Sequence, residues 1–476
     1  MKKTELVFIP LPGPSHLISA VEAAKLLLQR DDRLSITFLI MTIPNNIFVD
    51  AYTQQISSDP NPNTSSLRII NLPNQDIAAS DTFSFDLIDN QIPSIRNVLS
   101  ELVQQSSAQI AGIVVDMFCT KFIDVADEFG LPSYVFCSSS ASFLGVFSHL
   151  TSLKFEHNQD LTQYENSDAE LSVPCMSIKV PAKVLPGEAV REGPLSDGAF
   201  DCFKRFSRIK GVLVNTFYEL ESYAIRSLSN GKAPKIYPIG PILNLNHQIG
   251  SSESDEADEI KKWLDLQPDS SVTFLCFGSR GTFEVPQLKE IACALERCGH
   301  GFLWSVRKPA PKGSMQVQLP TDYENLDDVL PQGFLERTKG RGKVIGWAPQ
   351  MAVLSHPAVG GFVSHCGWNS ILESVWCGVP VATFPLRAEQ QLNAFQVVKE
   401  SGMAEAIRVD YRSDSKADLV GWEEIEGVIQ RLMGSSSGVR EKVRKMHKES
   451  RLALEEGGSS YNTQISFVQD ILNYFG

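Results

Sequence analysis

The chain is expected to fold as an α/β protein in two similar halves, each a parallel sheet covered by helices. Short runs that are apolar throughout recur along its 476 residues. Strands buried on both faces of a parallel sheet have that character, whereas half-exposed strands alternate. Helical patterns separate the runs, and strand–helix alternation marks a doubly wound domain. One polar, acidic, Ser-rich stretch splits the series, and a chain of this length exceeds one ordinary core.

The first half opens with ELVFIP (5–10), which runs into proline and glycine. From His16 to about Arg30, Leu17, Ala20, Val21, Ala24, Leu27 and Leu28 recur at helical spacing. SITFLIM (35–41), LRIINL (67–72), GIVVD (112–116) and PSYVF (132–136) follow as strands, with TKFIDVADEFG (120–130) as a helix between two of them. ILNLNHQIGSSESDEADE (242–259) reads as a solvated, flexible linker. The second series is VTFLCFGS (272–279), GFLWSV (301–306), KVIGW (343–347), GGFVSH (360–365) and VPVATFP (379–385), with PQLKEIACALERCG (286–299) as an intervening helix. Residues 308–328 read as a surface excursion, and 440–476 as helical.

Composition narrows the class. Hydrophobic residues make up 43% and charged residues 21%, as in a soluble globular protein. A net charge of −13 argues against a nucleic-acid partner. The 9 cysteines are scattered without a CxxC pair, several in apolar runs, as reduced thiols of a cytoplasmic protein would be. Lys2 and Lys3 precede an apolar stretch broken by Pro10, Pro12 and Pro14, which does not read as a signal peptide. No run is long enough for a transmembrane segment. GxGxxG is absent, which weakens a nicotinamide-dependent reading.

The chemistry concentrates between Trp347 and Gln390. Trp347, after a strand, offers a flat face for a base, or else packs in the core. Glu373 can accept two hydroxyl hydrogen bonds, as a ribose requires, or else be a solvated helix carboxylate. In GGFVSHCGWNS a strand runs through glycine into a helix, which places free N–H groups at a helix N-terminus, a ready anion site. His365, Gly367, Asn369 and Ser370 sit there, with side-chain donors suited to a diphosphate. Ser279, and after it Thr282, in FGSRGTF form a second candidate phosphate loop. A zinc site at His356, His365 and Cys366 fits no standard spacing and lacks a fourth ligand.

Trp347–Gln390 closely resembles the signature box of plant secondary-product UDP-sugar glycosyltransferases, and the chain resembles that family in layout from end to end. The resemblance implies a GT-B fold: two facing Rossmann-like domains with parallel sheets and a cleft between them. It implies an acceptor domain over 1–241, a linker over 242–260, a UDP-sugar domain over 261–440, and helices over 441–476 that pack back on the first domain. Ala348 and Gln350 would contact uracil and the region of the ribose. Trp368, Glu389 and Gln390 would read the sugar, with Trp368 and Gln390 together pointing to glucose. UDP-glucose would be a co-substrate, with no metal and no cofactor.

His16, in PLPGPSHL after the first strand, stands where these transferases carry their base; read alone it is more readily a helix-start residue packed in the cleft. An alcohol needs such a base near neutral pH. Asp116 ends a strand and can fix the His16 tautomer. A single in-line displacement would then turn an α-linked donor into a β-glucoside. Acceptor candidates are Phe118, Cys119, Ser140, Phe143 and Arg387, with AFDCFKRF (199–206) as a lid; aromatic walls suit flat or polycyclic hydroxylated molecules, and by resemblance phenolics, flavonoids or terpenoids. Ser15, Arg280 and Arg387 depart from the family pattern and bear on selectivity. A monomer is expected. The rival readings are another UDP-sugar, a catalytically silent nucleotide-sugar binder, and a glycoside hydrolase. The last would need two flanking carboxylates, and no such pair stands out.

Overall fold

Along each main sheet, successive side chains enter cores on opposite faces. In the first strand Val7 and Ile9 join one buried cluster while Leu6 and Phe8 join another. In the first strand of the second sheet Phe274 and Cys276 point one way, Leu275 and Phe277 the other. A strand with a core on each face has no place for polar alternation, which is why these segments are apolar throughout. The computed structural model describes residues 3–41, 47–57, 66–73, 85–105, 108–230, 234–245, 253–309, 320–409, 419–434 and 438–473.

The strands are β1 (Thr4–Ile9), β2 (Leu34–Ile40), β3 (Leu67–Asn71), β4 (Gln109–Asp116), β5 (Ser133–Cys137), β6 (Glu170–Leu171), β7 (Val180–Pro181), β8 (Gly211–Val214), β9 (Lys235–Pro238), β10 (Val272–Cys276), β11 (Gly301–Ser305), β12 (Gly342–Ile345), β13 (Val359–Ser364), β14 (Val381–Thr383) and β15 (Ala404–Ala406). The first sheet has the order β3-β2-β1-β4-β5-β8-β9 and the second β12-β11-β10-β13-β14-β15. All pairings within both are parallel; β6 and β7 form a small antiparallel ribbon. This is the α/β architecture expected. Ligands of such sheets bind beyond the C-terminal strand ends where the order reverses. Those switch points lie between β1 and β4, and between β10 and β13.

Several segments differ from expectation. β8, β9 and β15 are strands beyond those read from the sequence. The expected linker turns helical at Glu253, in the helix Glu253–Asp265, because Ile260 and Leu264 bury against the second sheet; its residues 246–252 lie outside the described residues, as do 310–319 of the excursion. The segment 199–206 is no lid. It lies in the helix Pro194–Lys204 and the turn after it, with Phe200, Phe203 and Phe206 buried. Phe203 packs 4.5 Å from Phe147 and stacks 4.6 Å from Phe206.

The chain ends in two helices, Gly438–Leu454 and Ser459–Leu472. In the last, Phe467 packs edge-on between Tyr134 and Tyr237, and Gln464 donates to the Ile239 carbonyl, so this helix lies on the first sheet. All nine cysteines are unpaired and most are buried. No helix among the described residues is long and apolar enough to cross a membrane.

Candidate functional site

Both switch points open onto one cleft. On the first-sheet side, β1 runs through Gly13 and Pro14 into the helix Pro14–Leu28, where proline suits the first turn because its missing N–H would have no partner there. His16 therefore stands in that first turn. Asp116 ends β4, the neighbour of β1, and the pleat brings the two side chains together. His16 Nδ1 lies 2.7 Å from Asp116 Oδ2, with 20% of the histidine side chain and 1% of the aspartate exposed. The second oxygen, Oδ1, accepts from the Phe118 backbone N–H at 3.0 Å. A carboxylate only accepts, so Nδ1 carries the proton and Nε2 offers a lone pair. Burial pulls the His16 pKa down, but the charge and hydrogen bond of Asp116 outweigh it, and the net shift is upward. Phe118 sits edge-on, 6.1 Å from the imidazole.

On the opposite wall, β13 ends at Ser364 and the helix Trp368–Cys377 begins after His365, Cys366 and Gly367. Cys366 holds a left-handed φ of 64°, unusual for a side chain with a Cβ. The His365 ring rests between two glycines. A Cβ on Gly278 would stand 2.8 Å from its Nε2, and one on Gly367 2.5 Å. Burial, helped by the Arg387 charge, pushes His365 down to about 4, so the ring is neutral at pH 7. Its Nδ1 is buried without a hydrogen-bond partner among the described residues. Ser279 and Arg280, beyond β10, are exposed, with Thr282 half-buried.

Three of the remaining donor candidates form a connected set. Gln350 Nε2 donates to Ser370 Oγ at 2.8 Å and to Glu373 Oε2 at 2.6 Å. Burial pushes Glu373 up to about 7 despite that bond. Trp347 is half-buried and outside the core clusters, and the next residue, Ala348, is buried in the core of the second half. Glu389 is half-buried; burial raises its pKa, and the His16 charge opposes the rise.

Two side chains expected to read a sugar are already engaged within the protein. The Trp368 indole is 3% exposed and its N–H donates to the Asn215 carbonyl at 2.6 Å. What it can offer a ligand is its backbone N–H. Gln390 Oε1 accepts from the Leu386 and Arg387 backbone N–H groups at 3.0 and 3.1 Å, which leaves only its amide N–H groups.

The acceptor candidates divide in the same way. Phe118 and Arg387 reach the cleft. Cys119 and Ser140 do not: both have no exposed surface, and Ser140 Oγ caps the helix Ala141–Phe155 by accepting from Phe143 N. Phe143 is buried against Phe147 and Phe203.

Sequence reasoning missed residues that join the two walls. Asn369 Nδ2 donates to Ser19 Oγ at 3.0 Å, and Asn215 Nδ2 donates to Asn369 Oδ1 at 3.2 Å. Glu221, 3% exposed, accepts from Ala141 N, Ser142 N and Gln396 Nε2. The available signal was a polar residue directly after an apolar strand, in GVLVNT, at the strand end that faces the cleft.

With this geometry in place, similarity to known proteins is informative. Residues 215–431 match the family model described as UDP-glucoronosyl and UDP-glucosyl transferase. The chain is 49% identical to the UDP-glucose flavonoid 3-O-glucosyltransferase 6 of Fragaria ananassa, covering 99% of each. Among solved structures it is similar to a transferase from Siraitia grosvenorii in complex with UDP, at 44% identity and a TM-score of 0.88 over 99% of this chain and 100% of that one. It is likewise similar to Medicago truncatula UGT71G1 complexed with UDP-glucose, at 39% identity and a TM-score of 0.87 over 98% of each chain.

Proposed function

The chain belongs to the UDP-glucoronosyl and UDP-glucosyl transferase family, and from that premise we propose that it moves glucose from UDP-glucose to a hydroxyl of a flat, hydrophobic acceptor, with inversion at the anomeric carbon. The observation that carries this reading is the 2.7 Å His16–Asp116 pair facing the start of the helix Trp368–Cys377. That arrangement sets a base opposite an anion site. His16 Nε2 takes the acceptor's proton, and Asp116 stabilises the imidazolium. The oxygen attacks the anomeric carbon from the first wall while UDP leaves toward the second. One displacement inverts, so an α-linked donor yields a β-glucoside.

In this reading Trp347 stacks on uracil, the Ala348 backbone contacts the base, and Glu373, aligned by Gln350, accepts the ribose hydroxyls. The leaving diphosphate meets the unpaired N–H groups of the helix start, together with Ser279, Ser370 and the His365 cradle. Glu389 and the Gln390 amide N–H groups meet sugar hydroxyls. The charge of UDP is met without a metal or cofactor. Both walls come from one chain, so a monomer suffices. A flavonoid acceptor is supported by the name of the Fragaria ananassa relative and by Phe118 at the cleft.

One observation favours a second donor class. Arg387 donates to the Arg280 carbonyl at 3.0 Å and forms no ion pair among the described residues. A uronate carboxylate would suit it. The test is acceptor-dependent UDP release from UDP-glucose and from UDP-glucuronate, with flavonoid, phenolic and triterpenoid acceptors and product mass as readout. Turnover with UDP-glucose and at least one acceptor is expected. His16→Ala is expected to lose roughly 100-fold in kcat with UDP binding nearly unchanged. Equal loss of both would make His16 structural. UDP binding without turnover on any acceptor would favour a silent binder.

A further inference from the structure

Asn215 is the residue through which the first sheet grips the start of the donor helix. It follows β8, is fully buried, and lies a few residues before Glu221, another buried side chain bonded across the walls. All its hydrogen-bonding groups are engaged. Its backbone N–H donates to Cys137 O and its Oδ1 accepts from Ile242 N at 2.8 Å, which fix it in the first sheet. Its carbonyl accepts from Trp368 Nε1 at 2.6 Å and its Nδ2 donates to Asn369 Oδ1 at 3.2 Å. Trp368 and Asn369 are the first two residues of the helix whose N-terminus faces the leaving group. Asn369 in turn donates to Ser19 Oγ at 3.0 Å, one turn along the helix that carries His16.

We propose that Asn215 is a positioning residue for glycosyl transfer: acting through Asn369 and Ser19, it holds the donor helix in register with the His16 helix. The inference rests on the proposed reaction. It adds a residue that touches neither substrate and sets the distance between the base and the reacting carbon. An asparagine suits the task because one amide supplies both an acceptor toward its own sheet and a donor toward the opposite wall. Rates of in-line transfer are steep in that distance, with a displacement of about 1 Å able to cost about 100-fold.

The test compares Asn215→Ala, Ser19→Ala and the double variant in the full chain. Expected for Asn215→Ala is a kcat lower by about tenfold or more, with UDP affinity by calorimetry within about threefold. The acid limb of the pH–rate profile should not move, because the His16–Asp116 pair is untouched. Ser19→Ala should add little in the Asn215→Ala background, since both act through Asn369. Ser177→Ala removes a bond across the walls outside the cleft, Ser177 Oγ to Glu400 at 2.7 Å, and should leave kcat unchanged. A lowered melting temperature with unchanged kcat, or effects that simply multiply, would overturn the proposal. If Asn215→Ala does not fold, Asn215→Asp keeps an acceptor for Ile242 N and carries the same comparison. Hydrogen exchange reads the register without turnover, so it separates this proposal from the reaction itself. Asn215→Ala should raise exchange in the helices Pro14–Leu28 and Trp368–Cys377, and Ser177→Ala in neither. Unchanged exchange in both would contradict the proposal even in an enzyme for which no acceptor is found.

Discussion

Asp116→Asn is a nearly isosteric change whose outcome follows from two hydrogen bonds. In the wild type both carboxylate oxygens accept, one from His16 Nδ1 at 2.7 Å and one from the Phe118 backbone N–H at 3.0 Å. The backbone N–H does not move, so the asparagine carbonyl must face Phe118, and its NH₂ must face His16. An NH₂ opposite Nδ1 forces the proton to Nε2 and leaves no lone pair there to accept from the hydroxyl. The opposite amide orientation keeps the tautomer but sets NH₂ against N–H at a site with almost no solvent. Either way the base is impaired and the imidazolium loses its countercharge. The expected loss in kcat is roughly 10²- to 10⁴-fold. The pH dependence has a definite sign. In the proposed reaction activity needs neutral His16, so the rate rises with pH through the His16 pKa, which Asp116 holds above its ordinary value against burial. Without that charge burial prevails, and the acid limb should move to lower pH while the plateau falls. Initial rates of UDP release from pH 5 to 9 provide the assay. A variant within about threefold of wild type, with its acid limb in place, would refute the reasoning.

Other expectations rest on the donor wall. Gly278 has φ +74° and its position admits no Cβ without moving the His365 ring, so Gly278→Ala should weaken UDP binding about tenfold or more, roughly 1.4 kcal/mol; calorimetry giving wild-type affinity would dissociate the cradle from the diphosphate. Glu373 is pushed up to about 7 from an ordinary 4.5, so its contribution to stability is complete below the unfolded value and disappears as pH rises through about 7. Glu373→Gln should therefore gain in melting temperature over wild type more at pH 8 than at pH 5, and bind UDP more weakly. A larger gain at pH 5 would contradict the assignment.

Much of this was legible in the sequence, for reasons that also explain the rest. β1, β2, β4, β5, β10 and β13 are central strands with a core on each face, and that burial imposes the apolar runs. β8 and β15 have four and three residues, too short to show a pattern, and β9 carries an exposed Lys235 at its start. His16 and Asp116 are visible as polar residues at strand ends, and their contact follows once β1 and β4 are neighbours. The duties of Trp368 and Gln390 were not legible. Trp368 bonds a residue 153 positions away, while Gln390 folds back on its own loop, and neither partnership leaves a mark in local composition. Cys119, Ser140 and Phe143 sit beside catalytic strand ends in sequence, yet the direction of the following turn and helix carries them into the core. Asn215 has the strand-end signature of Asp116, but two of its four partners, Trp368 and Asn369, lie on the opposite wall.

The anomeric configuration of the product tests the account most directly. In the proposed reaction the donor glucose is α-linked, and a single displacement between the His16 wall and the Trp368 helix allows one outcome. Proton NMR of the glucoside formed before any hydrolysis should show the large H1–H2 coupling of a β-glucoside. An α-glucoside would mean retention, and with it a mechanism other than direct attack across this cleft.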